Sequence, residues 1–78
     1  MKLIEQIKQY CSHLDGKYYQ LVVWDDNNFD IIEPIYHGAI VYQFSQNDDG
    51  TVTINDGSRT YTMTDIDDFH SYFPYIFE

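Results

Sequence analysis

Carboxylates are the residues in this sequence that crowd closely enough to do chemistry. Asp26, Asn28 and Asp30 alternate as the first three oxygen ligands of a calcium loop do. The glycine such a loop needs falls at Ile31, and no acid closes the pattern, so the run reads as a polar turn. Asp65, Asp67 and Asp68 fall within what would be one helical turn. Acids at a helix start are favoured by the positive end of the helix dipole, which accounts for them without a metal. His13, His37 and His70 are too scattered for a zinc site. Cys11 lies on the apolar side of a helical pattern, where a thiol behaves as a small core residue. No glycine loop cradles a phosphate, and no nucleophile–base set is recognisable. The expectation is a protein that is not an enzyme, holds no cofactor or metal, and acts through charge.

That charge is large. The chain has 78 residues with 13 acids against 4 bases, a formal net charge of −9. Lys2, Lys8 and Lys17 sit near the start; from Tyr18 onward there are 11 acids and Arg59, a net −10. Such a surface argues against nucleic acid or an anionic membrane as partner and favours a basic protein surface. Solubility alone would also be served by this charge. No apolar run approaches the roughly 20 residues of a membrane span. The lone cysteine excludes an internal disulfide framework, and Glu5 follows Met1 too soon for a signal peptide; a cytoplasmic setting is expected.

The elements that would position the acids follow from periodicity. Residues 1–78 read as a single domain of the α+β class. Leu3, Ile4, Ile7, Tyr10, Cys11 and Leu14 recur at helical spacing, which predicts a helix over 2–14 with Gly16 as its cap. Four or five antiparallel strands follow, near 18–24, 39–45, 51–55 and 59–63, with Phe29 to Glu33 as a short edge strand before Pro34. Ile40, Tyr42 and Phe44 fall on one face. Asp56-Gly57 suits a two-residue hairpin turn, so Gly57→Val is expected to harm folding more than Gly50→Val. A last helix starts near Asp65, with Thr64 as N-cap and Asp67 at its third position, and Pro74 ends it. Tyr75 to Phe77 would fold back as an apolar tail. The expected core is Leu3, Ile7, Leu14, Leu21, Val23, Ile40, Tyr42, Val52, Ile54, Tyr61, Ile66 and Phe69. Helices at both ends would cover one face of the sheet and leave the other to solvent or to binding.

Between Tyr42 and Ser71 a run of features occurs in order. Tyr42-Gln43-Phe44 precedes the turn at Asn47-Asp48-Asp49; Val52-Thr53-Ile54 leads to Gly57-Ser58; Thr60-Tyr61-Thr62-Met63 leads to Asp65, Asp67 and Asp68. This run, with the order helix, strands, helix, resembles a family of small acidic anti-CRISPR proteins of phages that attack Pseudomonas. Members of that family block the type I-F surveillance complex by occupying its basic channel for target DNA. The resemblance implies an inhibitor that mimics DNA, with a Cas effector or another nucleic-acid-binding protein as partner. Carboxylates would stand in for phosphates and pair with the partner's Lys and Arg. Two other classes stay open: an immunity- or antitoxin-like protein that plugs a nuclease, and an adaptor domain whose charge only solubilises it.

In a meander alternate turns lie at opposite ends of the sheet. The helix start should therefore lie at the end of the Asp48–Asp49 loop. Asp48, Asp49, Asp65, Asp67 and Asp68 are expected to form one acidic patch for the partner. Asp25 and Asp26 are further partner-binding candidates, on a turn expected to lie apart from that loop.

Overall fold

The structure, a computed structural model, describes residues 1–16, 18–33 and 39–74. Helix α1 (Leu3–Cys11) runs into a 3-10 turn, Ser12–Leu14. Strands β1 (Gln20–Asp25), β2 (Asn28–Glu33), β3 (Ala39–Gln46), β4 (Val52–Asn55) and β5 (Thr60–Met63) follow, then helix α2 (Ile66–Tyr72). The five strands form one antiparallel sheet in chain order. This is the α+β arrangement expected, with the fifth strand present. No described helix is long and apolar enough to cross a membrane. His37 and the tail Tyr75 to Phe77 lie outside the described residues.

Both helices pack on one face of the sheet. Leu3, Ile4, Ile7 and Cys11 of α1 meet Phe69 of α2, Phe73 and the inward residues of four strands: Phe29, Ile31, Phe44, Val52, Ile54 and Met63. The helical spacing of the first set and the period-two spacing of the strand set make each element amphipathic, and burying both apolar faces together is the main driving force. Phe29 and Phe44 stack across β2 and β3 with ring centroids 4.3 Å apart. Burial pushes the Cys11 thiol up to about 12, so it stays protonated and inert at neutral pH.

Two of the expected core residues are exposed instead. Ile40 is 52% exposed and Val23 53%. The cause at Ile40 is a register shift: Ile31 pairs with Tyr42, but Ile32 pairs with Ile40, so Val41 is an extra residue. A bulge of one residue sends everything beyond it to the opposite face. Val23 keeps its face but stands on the edge strand β1. Strand β2 is not an edge strand; it lies between β1 and β3, and its Phe29 and Ile31 belong to the core. Leu14, Leu21, Tyr42, Tyr61 and Ile66 pack against the core while partly exposed.

The turns also depart from expectation. Gly16 does not cap α1, which ends at Ser12 with its N–H on the Gln9 carbonyl. Asn55 pairs with Thr60, so the β4–β5 turn holds four residues, not two. Asp56 Oδ1 accepts from the N–H groups of Ser58 (2.9 Å) and Arg59 (2.7 Å) to close it. Gly57 has φ +94° and Gly50 φ +90°, and no atom lies within 4 Å of where a Cβ would stand at either. The two sites are therefore equally demanding of backbone, and Gly57 is not the more sensitive. Gly50→Val and Gly57→Val should each cost about 1–2 kcal/mol for a branched side chain in the left-handed region. Thermal unfolding checks this: the two midpoints should agree within a few degrees.

Candidate functional site

The strand pairing collects the acidic segments at one end of the sheet. Gln46, the last residue of β3, donates its N–H to the Asn27 carbonyl in the β1–β2 turn (2.7 Å). Gln46 pairs with Val52, the first residue of β4, and Val52 pairs with Met63, the last of β5. The β1–β2 turn, the β3–β4 loop and the entry to α2 therefore share that end. The N-terminus of α1 joins them: Lys2 Nζ donates to Asn27 Oδ1 (2.9 Å) and the Ile4 N–H to Gln46 Oε1 (3.0 Å). Asp48 and Asp49 are brought to the same end as Asp65, Asp67 and Asp68, as the topology required. Asp25 and Asp26, expected to lie apart, are brought there too. The reason is β2: counted as a full strand, it returns the chain and places the first and third turns together.

Seven of the 13 acids, Asp25, Asp26, Asp48, Asp49, Asp65, Asp67 and Asp68, thus stand at one end of the sheet. From β1 to β5 are four strand spacings, roughly 19 Å. A single nucleic-acid strand carries one charge per about 3.4 Å, or roughly six over that length. With Lys2 at the same end set against them, the seven acids leave six negative charges, close to one strand; a duplex has about twice as much.

The seven carboxylates divide by what they already hold. Asp25 Oδ1 accepts from the Asn27 N–H (2.7 Å) and the Asn28 amide (2.9 Å). Asp49 Oδ1 accepts from the Thr51 N–H (3.0 Å) and hydroxyl (2.6 Å). Asp65, not Thr64, caps α2, accepting from the Asp68 N–H (2.9 Å). Asp68 in turn takes the third helical position and reaches back to the N–H (3.0 Å) and hydroxyl of Thr64. The cap lies one residue later than the sequence suggested, because Thr64 and Asp65 are both cap formers and aspartate is the stronger. Asp26, Asp48 and Asp67 are exposed and accept no hydrogen bond among the described residues. Four acids hold the turns in shape; the other three stand exposed with no such bond.

Local hydrogen bonds favour the ionised form of Asp25, Asp49 and Asp68. Asp25 is lowered mainly by the Asn27 N–H, then by the Asn28 amide; Asp49 by the Thr51 hydroxyl, then its N–H; Asp68 by the Thr64 hydroxyl, then its N–H. Asp56, at the opposite end, is lowered by the Arg59 and then the Ser58 N–H. A folded pKa below the unfolded one means that the unfolded chain takes up protons first as pH falls. These groups contribute stability that is full above the ordinary Asp value of about 3.9 and is lost as pH drops through their folded values. An NMR titration of the side-chain carboxyl carbons should give all four midpoints below that value. Asp49→Asn, with one such group removed, should lose less stability than the wild type on acidification.

The sheet face turned away from the helices carries a second feature that sequence reasoning passed over. An open groove of about 490 Å³ is lined by Trp24, Asp30, Ile40 and Gln43 among others. Asp30 is only 8% exposed, and its Oδ2 accepts from the Trp24 indole N–H at 2.8 Å. The signal was an acid inside the apolar run Phe29-Asp30-Ile31-Ile32, where alternation sets it opposite the core residues. Asn28 and Asp30, read above as a calcium-like run, are strand residues bonded to Asp25 and Trp24. His13 bonds the Tyr10 carbonyl, and the His70 and Tyr10 rings meet edge to face with centroids 5.0 Å apart. No group of three metal-ligating side chains comes together among the described residues.

Compared with protein-family models, with curated proteins and with solved structures, this chain matches none.

Proposed function

We propose that this protein is an inhibitor that occupies a basic, nucleic-acid-binding surface of another protein, its carboxylates standing where phosphates would bind. The observation that carries the reading is the convergence of acids from three separate chain segments on one end of the sheet. Solubility needs net charge but no such convergence. The turn hydrogen bonds favour the reading further: a pre-shaped set of charges loses less entropy on binding than flexible side chains do. The match in charge density to a single strand supports mimicry over general repulsion. The resemblance to anti-CRISPR proteins names the first partner to test, a CRISPR surveillance complex of type I-F, in a host cytoplasm.

The experiment is competition. Purified surveillance complex is mixed with fluorescent target duplex, and the protein is titrated in while anisotropy is followed. The expected result is displacement of the duplex, weakened as salt rises, because the contacts are between charges. Unchanged duplex binding at large molar excess would remove this complex as the target. A panel of basic nucleases tested in the same format would then decide between inhibitor and solvated adaptor.

A further inference from the structure

The groove on the open face of the sheet poses an electrostatic problem that the acidic end does not. Asp30 is more than nine-tenths buried, yet no Lys or Arg pairs with it among the described residues. Burying a carboxylate is costly unless it is paired or well bonded. One hydrogen bond, from the Trp24 indole N–H to Oδ2, is what it receives. Among the described residues no fully buried side-chain polar atom lacks a partner, so Oδ1, which has none, is not fully buried, and Asp30 lines the groove. Beside it on β3 stands Gln43, the cross-strand neighbour of Asp30, exposed and with its amide unused among the described residues.

Trp24 stands at the register shift between Val23 and Asp25, with 67% of its surface exposed. An indole left this open is unusual for so apolar a ring, and its bond to Asp30 fixes how it stands. The groove thus offers an aromatic face, a carboxylate oxygen that is not fully buried, an amide and the apolar side of Ile40. Asp25 also lines it, adding a second negative charge.

We propose that this groove is a receptor for an arginine side chain of a partner protein. The planar guanidinium would stack on Trp24 and donate to Asp30 Oδ1 and Gln43 Oε1, while its methylene stem lies along Ile40. Arginine fits better than lysine because its fork of donors can serve both acceptors while its plane stays on the ring. The net charge of −9 draws a cationic segment in. Asp25 belongs to the rim of this groove as well as to the acidic end, but the site is built on Trp24, Asp30 and Gln43 and does not depend on whether that end mimics nucleic acid.

The chain has one tryptophan, so the test reads Trp24 directly by fluorescence. The probe is the capped tripeptide Gly-Arg-Gly, compared with Gly-Lys-Gly and with Gly-citrulline-Gly, whose side chain is a neutral copy of arginine. The expected result is a saturable change with the arginine peptide, at about 1–10 mM, as suits one side chain. The citrulline peptide should give none, and Asp30→Asn should weaken the arginine response about tenfold. Should Asp30→Asn fail to fold, Trp24→Leu, at an exposed position, takes its place, with the Gln43 side-chain amide followed by NMR; the arginine-induced shift should disappear. No saturable response from the wild type would overturn the proposal, as would an undiminished response from either variant. An equal response to lysine or citrulline would overturn the assignment to arginine. Asp48→Asn with Asp67→Asn should leave the response in place, which separates this site from the acidic end.

Discussion

Phe44→Ala should unfold this domain or bring it to the edge of unfolding, whereas Ile40→Ala, four residues earlier on the same strand, should scarcely be felt. Phe44 is 1% exposed and stacks on Phe29 at 4.3 Å. Removing a buried phenyl ring costs about 3–5 kcal/mol in lost transfer energy and cavity. A chain of this length has a total stability of roughly 4–12 kcal/mol. The loss is therefore a large share of the whole. Ile40 is 52% exposed on the open face, and truncating it removes little buried area, about 0.5 kcal/mol or less. Urea denaturation followed by circular dichroism reads both. Similar losses from the two variants would mean that Ile40 and Phe44 share a face, and the register shift at Val41 would be wrong.

That contrast shows where the fold was legible and where it was not. Amphipathic spacing identified α1, and alternation identified β3, β4 and β5, because in each the apolar period matches the geometry of one buried face. A bulge leaves no such trace. Ile40, Tyr42 and Phe44 keep a perfect alternation in sequence while the extra Val41 turns Ile40 outward. Pro34 drew β2 to the edge, yet a strand may sit inside a sheet when the proline lies beyond its last pairing residue, here Glu33. The error then spread to the site. With β2 at the edge, strand counting sends the turn at Asp25 and Asp26 to the wrong end. The Asp48 loop and the Asp65 helix start were placed correctly because the two strands between them were plain in the sequence. Which acids hold turns and which stand free was not legible, since an aspartate beside Asn, Thr or Gly does either with the same local sequence.

The division between engaged and free acids sets the largest expected effect on binding. Reversing charge at the free ones, Asp26→Lys, Asp48→Lys and Asp67→Lys together, should weaken partner binding by about 3 kcal/mol or more, over a hundredfold in Kd. Like charges brought together across an interface repel, and each reversal both removes an attraction and adds a repulsion. The fold should survive: none of the three holds a turn, and of them only Asp67 lies in the first turn of α2, where its loss costs about 0.3–1 kcal/mol. Asp25, Asp49 and Asp68 are poor choices for this test, because each closes a turn or a cap. Net charge alone must be separated from position. Asp48→Asn with Asp67→Asn raises the charge by two at the acidic end. Ser58→Lys with Thr60→Lys raises it by two at the opposite end, on exposed residues of the β4–β5 turn and β5. Titrating each variant against the partner complex at low and high salt gives the comparison. If the acidic end is the interface, the first pair weakens binding well beyond the second, and the gap narrows as salt screens it. Equal weakening by both pairs would mean that the partner feels only the overall field, and the seven converging acids would have no role as a site.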